Sequence, residues 1–231
     1  MTETPTGAYP ASSLTLYGAP LSPFVRKVRL ALAEKRLDYR LEIITPFGQP
    51  GWYLDLSPLG RIPALKDGAF SLADSSVICQ YLEDQYPATP QLYGPDAQAR
   101  ARVRWLEKYA DYELAPLTTL CVFRNRALKP TMGKVCDEIA VQNALKDKLP
   151  GHFDYLEKIL GDAAYFVGTR LTLADLAVGC QLINLEHGGE SLDPQRWPGL
   201  SAHYGRIKAL ESVQQVLPGE QRTLAKLSGQ G

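Results

Sequence analysis

Apolar and polar positions along the chain follow two rhythms, and the change between them falls near residue 90. In the first stretch, Leu14-Thr15-Leu16-Tyr17 predicts a short strand. Pro23 to Arg36 predicts a helix, with Val25, Val28, Leu32 and Leu37 on or near one stripe. Leu41 to Ile44 predicts a second strand. Gly48, Pro50 and Gly51 then open a loop before a short helix at Trp52 to Leu56. Ala64-Leu65-Lys66 and Ala69-Phe70-Ser71 read as a hairpin joined by Asp67-Gly68, since Asp-Gly suits the positive φ angles of a tight two-residue turn. A helix from Asp74 to Gln85 closes the half. The resulting order, β-α-β-α-β-β-α, leaves one small sheet to share among its strands.

Tyr86-Pro87-Ala88-Thr89-Pro90 and Gly94-Pro95 break any helix and mark a boundary. Beyond it the strand rhythm is gone. Ala97 to about Phe123, Val135 to Leu160, Leu173 to Glu186 and His203 to Val216 all carry helical periodicity. The expected organisation is a tail at 1–13, a mixed α/β unit at 14–86, a linker at 87–96 and an all-helical unit at 97–231. Thr172-Leu173-Ala174-Asp175 forms a capping box in its acid form, with Leu171 and Leu176 placed to staple the helix start. Its expected role is in folding, away from substrate.

Composition narrows the function. Lys+Arg and Asp+Glu each number 25, so the formal net charge is zero, which argues against a nucleic-acid binder. No apolar run approaches the ~18 residues of a membrane span. Met1 to Ser13 is polar, carries Pro5, Gly7 and Pro10, and lacks the basic start and apolar run of a secretory signal. The expectation is a cytoplasmic protein with a loose N-terminal tail. The four cysteines (Cys79, Cys121, Cys136, Cys180) form no CxxC pair, and the three histidines (His152, His187, His203) make no metal spacing with them. No metal site is expected, and the cysteines read as small apolar residues in a reducing compartment.

Three places could carry chemistry. Ser22 follows the first strand and precedes Pro23, which reads as an ordinary helix cap with proline at the first helical position. The same position also suits an anion. Unpaired N–H groups and the positive dipole end favour one, and a hydroxyl there can hold a thiolate. Ser57-Pro58-Leu59-Gly60-Arg61-Ile62-Pro63 is a fixed turn leading into a strand, with Pro63 a candidate cis proline. It is read either as a chain break or as a way for Ile62 to present its main chain to an extended peptide. Asp74-Ser75 starts a helix, as a plain cap or as a pair suited to a carboxylate and its neighbouring ammonium.

These features occur in an order that resembles the cytosolic glutathione transferases. The matching pieces are Leu16 to Val28 (Leu-Tyr-Gly-Ala-Pro-Leu-Ser-Pro-Phe-Val-Arg-Lys-Val), the Pro58 to Leu65 turn, Asp74-Ser75 with Tyr81-Leu82 after it, and the capping box at Thr172. The resemblance implies a thioredoxin-like N-terminal domain followed by an all-α domain. It implies Ser22 as the thiol-stabilising serine of the Ser-type, bacterial-like members. It places Phe24, Gln49, Ile62, Pro63, Asp74 and Ser75 at the glutathione site, with Ile62 bonding the cysteinyl unit and Asp74 and Ser75 the γ-glutamyl end. Gln49 lies toward the glycyl carboxylate. Tyr109 and Tyr112 are the candidates for the second-substrate pocket, where packing is an equal reading. Tyr17 stands where Tyr-type members keep a catalytic hydroxyl.

The implied reaction is attack of glutathione thiolate on a small hydrophobic electrophile by a homodimer, with glutathione as co-substrate and no other cofactor. Glutathione-dependent peroxide reduction at the same site, or a non-catalytic binding protein of this fold, are the alternatives. The chain departs from the family pattern in carrying Asp74 where many members have Glu, and Ser57 where the usual residue is Asn. It lacks the Ser-Ser-Cys run of the isomerase-type members, which speaks against maleylacetoacetate isomerisation. No cysteine replaces Ser22, which speaks against chemistry through a mixed disulfide.

Overall fold

A computed structural model describes residues 14–229; residues 1–13, expected to form a tail, lie outside the described residues. Strand β1 (Leu14–Tyr17) leads to helix α1 (Pro23–Glu34), then β2 (Arg40–Glu42), α2 (Tyr53–Leu56), β3 (Ala64–Asp67), β4 (Phe70–Ala73) and α3 (Ser75–Gln85). The strands form one sheet in the order β2-β1-β3-β4. β1 runs parallel to β2 and antiparallel to β3, and β3 is antiparallel to β4. This is the thioredoxin-like mixed sheet.

Strand alternation places Leu14, Leu16 and Leu65 in the main core under α1 and α3. Tyr17 and Ala64 point to the other face, where they pack with Ile44 and Tyr53 in a smaller cluster. Two sequence expectations shift here. β2 covers Arg40–Glu42 rather than Leu41 to Ile44. The hairpin turn sits one residue later than expected, because Asp67 stays in the ladder opposite Phe70. Gly68, with φ of 58°, is then the turn residue that needs a positive φ.

α1 is buried on nearly every side, basic residues included. Arg26 and Lys27, with Lys35 just past the end of the helix, are 0%, 1% and 1% exposed, and each meets a carboxylate from another element. Lys35 Nζ pairs with Glu83 of α3 at 2.8 Å, and Glu83 in turn accepts from the backbone N–H groups of Leu92 and Tyr93 in the linker. Lys27 Nζ meets Glu107 at 2.9 Å and Asp111 at 2.7 Å. Arg26 is clamped to Glu220 and also donates to Asn184 Oδ1 at 2.8 Å and Cys180 O at 3.0 Å. Buried ion pairs contribute little net stability compared with apolar packing. Removing one partner, however, strands a charge in low dielectric at a cost of about 3–5 kcal/mol.

Beyond the linker the chain is helical. α4 (Ala97–Tyr109), α5 (Ala115–Leu117), α6 (Glu138–Asn143), α7 (Leu149–Leu160), α8 (Leu173–His187), α9 (Pro198–Ala209) and α10 (Glu211–Leu227) follow in order. The helix expected from Ala97 to Phe123 runs on to Leu128, with widened i→i−5 turns at Ala110–Leu114 and Thr118–Leu128. A similar wide turn, Ala144–Lys148, joins α6 to α7. Two of these turns have a cause in the sequence. Pro116 and Pro150 would clash with the carbonyls of Tyr112 and Lys146, and a wide turn spanning each of those residues opens the space.

α8 is buried along almost its whole length and packs against α1, α4 and α9, so it is the axis of the helical half. The single helix expected over His203 to Val216 is two, broken at Leu210, whose extended backbone (φ −59°, ψ 137°) starts α10. No helix among the described residues is long and apolar enough to cross a membrane.

The Arg26–Glu220 clamp has a pH signature. Burial alone would raise the Glu220 carboxyl, but the charge of Arg26 and hydrogen bonds from His187 and Arg26 hold it below its ordinary 4.5. A carboxyl whose pKa falls on folding contributes stability above its unfolded pKa and loses it as pH drops toward the folded value. The thermal midpoint should therefore decline as pH falls below about 4.5. Glu220→Gln should lower the midpoint at neutral pH and flatten that acid decline. An unchanged acid slope in the variant would remove Glu220 from the account.

Candidate functional site

The register of the sheet brings three sequence features to one end of it. Tyr17 at the end of β1 pairs with Ala64 at the start of β3, and Ala64 pairs with Ala73 at the end of β4. The segment after β1 holds Ser22, the segment before β3 holds Ile62-Pro63, and the segment after β4 holds Asp74-Ser75. Helices α1 and α3 both begin at this same end, so two positive helix termini face one region.

Ser22 caps α1, its Oγ accepting from Val25 N at 3.3 Å. A serine hydroxyl has two acceptor sites and one proton, so the cap leaves that proton free to be donated. The corner is tight. A Cβ on Gly18 would lie 2.4 Å from a methyl of Val25, so only glycine lets β1 turn this closely into α1. Behind the corner Asn184 Nδ2 donates to Leu21 O at 3.4 Å. Phe24, in the first turn of α1, is half-buried.

The turn before β3 is held from inside. Ser57 Oγ donates to Arg61 O at 2.8 Å and accepts from Arg61 N at 3.1 Å, and Tyr53 Oη donates to the same carbonyl at 2.9 Å. Burial pushes the Tyr53 hydroxyl up to about 12, so it stays a proton donor. Ser57 therefore clamps the turn through both of its bonds to Arg61. The Ile62–Pro63 peptide bond is cis. Gln49 lies beside Gly60, and its Nε2 is buried without a hydrogen-bond partner among the described residues.

Asp74 sits at φ 77° and ψ 122°, a conformation that costs a non-glycine residue on the order of 1–3 kcal/mol. Its Oδ1 accepts from Ser76 N at 2.9 Å and Val77 N at 3.2 Å, which offsets part of that cost and caps α3. Ser75, the first residue of α3, is buried.

Tyr17 packs edge-on to Trp52, with ring centroids 5.8 Å apart, and against Tyr53 at 6.4 Å. Its ring thus belongs to the α2 side of the sheet. Tyr109 points to α7, its hydroxyl 2.6 Å from His152 Nδ1 and its ring 4.9 Å from that of Tyr155. Tyr112 is 65% exposed, with the Lys108 ammonium 5.3 Å above its ring. Asp111, between the two tyrosines in sequence, reaches the first turn of α3, its Oδ2 accepting from Ser76 Oγ at 3.1 Å. Cys79 and Cys180 are buried, and desolvation holds the Cys79 thiol well above its ordinary value and that of Cys180 up to about 12. Neither is a nucleophile in this setting.

Sequence reading missed what lies beneath Ser75. Ser76 Oγ meets Asp111 Oδ2 at 3.1 Å and Lys27 Nζ at 3.3 Å, and Lys27 also pairs with Glu107. Burial alone would lower the Lys27 ammonium, but Asp111 and Glu107 outweigh it and hold its pKa above the usual lysine value. Lys27 stays charged and anchors the first turn of α3 to α4. The sequence carried no signal of it, because a single apolar stripe leaves Arg26 and Lys27 free to face solvent.

Comparison with known proteins agrees across both halves of the chain. The model of the glutathione S-transferase N-terminal domain matches residues 16–90, and that of the C-terminal domain matches residues 132–218. A glutathione S-transferase of Triticum aestivum is 30% identical over 210 residues, covering 89% of this chain and 93% of its own. A maleylacetoacetate isomerase of Pseudomonas aeruginosa is 33% identical over 202 residues, covering 84% and 91%. Among solved structures, a glutathione S-transferase from Rhodospirillum rubrum superposes with a TM-score of 0.80 at 31% identity, covering 88% of this chain and 91% of its own. A mixed sheet continued by a helical half, matched over most of the length of such relatives, places this chain in the glutathione S-transferase family.

Proposed function

We infer that the protein is a glutathione S-transferase that joins glutathione thiolate to a small hydrophobic electrophile. The observation that carries this reading is the convergence of Ser22, Ile62-Pro63 and Asp74-Ser75 on one end of the sheet, between two helix N-termini. An extended tripeptide laid across that end would set its sulfur at Ser22, its main chain along Ile62 and its γ-glutamyl carboxylate at Ser75. In this reading Ser22 is the catalytic residue of a Ser-type, bacterial-like enzyme. Asp74, with Oδ1 committed to capping, offers Oδ2 to the ammonium. The unpartnered Gln49 amide donates toward the glycyl carboxylate, and Phe24 flanks the thiol.

The enzyme's part is positioning and ionisation: glutathione is held extended, its sulfur is kept as thiolate, and the electrophile is set beside it. The thiolate forms the new bond to carbon as the leaving group departs with its electron pair. Of the two tyrosines assigned to the second-substrate pocket, Tyr112 is the more exposed, while Tyr109 is engaged with α7. Glutathione is the co-substrate, and the working form is a cytoplasmic homodimer. Phe70 on β4, Val77 on α3 and Trp105 on α4 expose apolar surface that a second copy would cover.

The relatives named maleylacetoacetate isomerase match as closely as those named glutathione S-transferase, so similarity does not separate the two reactions. The absent Ser-Ser-Cys run favours conjugation. Calorimetry with glutathione and turnover of a generic aryl halide test the reading. The wild type should bind glutathione and conjugate the halide. Ser75→Ala should weaken binding by roughly 10- to 100-fold, the worth of one hydrogen bond to a charged group. No binding at millimolar glutathione would leave a non-catalytic protein of this fold.

A further inference from the structure

The thiol-facing turn is held from behind by a chain of buried side chains that starts near the far end of the sequence. Glu220 of α10 clamps Arg26 through Nε at 2.8 Å and through Nη2. His187 of α8 adds a contact to the same carboxylate at 2.9 Å. Arg26 Nη1 donates to Asn184 Oδ1 at 2.8 Å, and Asn184 Nδ2 donates to Leu21 O. Leu21 directly precedes Ser22, and Arg26 lies one helical turn beyond it, its N–H donating to Ser22 O at 2.9 Å. Arg26, Asn184 and Glu220 are all 0% exposed.

The chemistry of the chain fixes its direction. A guanidinium has only donors, so it must face the oxygen of the Asn184 amide, and the amide nitrogen is then left for the Leu21 carbonyl. Neither group can turn over without placing donor against donor or acceptor against acceptor. A surface hydrogen bond could be exchanged for water, but these groups have no water to turn to. The orientation of Asn184 is thus set by Arg26, and that of Arg26 by Glu220. We propose that Asn184 is a positioning residue for the thiol-binding turn, and that Glu220 of the last helix governs it through Arg26.

This rests on the reading of Ser22 as the thiol-stabilising residue. It goes further in assigning the aim of the Ser22 hydroxyl to residues of α8 and α10, elements that carry no group of the thiol site. The helical half then has a part in ionising the thiol as well as in shaping a pocket.

The test is a pH titration of the enzyme–glutathione complex, read as thiolate ultraviolet absorbance and as the pH profile of kcat/KM for an aryl halide. Asn184→Asp keeps an oxygen for Arg26 and replaces the donor to Leu21 O by a second oxygen. Glu220→Gln keeps the size of the side chain and removes the charge that orients Arg26. Each should raise the bound-thiol pKa by about one unit, a tenfold loss of thiolate well below that pKa, with glutathione KM changed less than about twofold. A purely structural role would lower the melting temperature and leave the bound-thiol pKa in place.

Should Asn184→Asp not fold, Asn184→Ser, which is too short to span Arg26 and Leu21, takes its place. Folded variants that titrate as the wild type does, while Ser22→Ala shifts, would overturn this proposal alone. An unshifted Ser22→Ala would overturn the reading of Ser22 and this proposal together.

Discussion

Replacing Ser22 with alanine is expected to raise the pKa of the bound glutathione thiol by about one to two units and to cut turnover at neutral pH by roughly 10- to 100-fold. The size follows from what the substitution removes and what it leaves. One hydrogen bond to a charged group contributes about 1.5–3 kcal/mol, and each pKa unit corresponds to about 1.4 kcal/mol. The N-terminus of α1 remains, and its dipole continues to favour the anion by about 0.3–1 kcal/mol, so the thiolate is weakened without being abolished. The stability cost is smaller. The cap bond to Val25 N is long at 3.3 Å, so its loss belongs at the low end of the ~0.5–2 kcal/mol range for caps.

Tyr17→Phe is the matched control. The Tyr17 ring is packed with Trp52 and Tyr53, and the substitution keeps that packing while removing the hydroxyl. Its bound-thiol pKa should stay within a few tenths of a unit of the wild type. The measurement is the ultraviolet titration of the glutathione complex in both variants. A shift in Tyr17→Phe with none in Ser22→Ala would transfer the thiol to the tyrosine.

Local chemistry made the N-terminal half legible. Ser22-Pro23 announces a helix start, alternation announces the strands, and Asp67-Gly68 announces a turn. The errors there are small and have local causes, as when Asp67 keeps its place in the ladder and leaves the positive φ to Gly68. Which segments share an end of the sheet came from the pairing of β1, β3 and β4 at Tyr17, Ala64 and Ala73, which segment order alone does not state.

What escaped was long-range. Ala209, Leu210 and Glu211 are all good helix formers, so nothing in their propensity shows that the chain bends at Leu210. The partner of Arg26 lies 194 residues away, in a segment past Val216 to which periodicity assigned no element. A single apolar stripe leaves Arg26 and Lys27 free to face solvent; their burial, and the acids that pair with them, come from the elements packed around α1. Asn184, unremarkable in a strongly apolar helix, gains meaning only from the two groups it touches.

The largest stability effect is expected away from the thiol site, at Asp175. Its carboxylate is fully buried and accepts four hydrogen bonds. Thr172 N and Thr172 Oγ donate to Oδ2 at 2.8 and 2.7 Å, while Phe166 N and His203 Nε2 lie 2.9 Å from Oδ1. The capping box read from the sequence is only half of this arrangement, since the second oxygen ties α8 to α9 and to the loop before it. Asp175→Ala would take the partner from the buried Thr172 N–H and hydroxyl, the buried His203 imidazole and the half-buried Phe166 N–H, at about 1–3 kcal/mol for each buried group before relaxation. A net loss of about 3–5 kcal/mol follows, a large part of the ~5–15 kcal/mol typical of a whole protein.

The isosteric change separates charge from shape. In Asp175→Asn the new amide nitrogen must face Thr172 N or Phe166 N, a donor against a donor in either orientation. Asn should therefore cost nearly as much as Ala despite preserving volume, and His203 cannot rescue it by changing tautomer, because the backbone N–H groups have no tautomer to change. Urea unfolding of the two variants beside the wild type measures this. A loss below about 1 kcal/mol in Asp175→Asn would mean that packing, and not the four acceptor bonds, holds the start of α8.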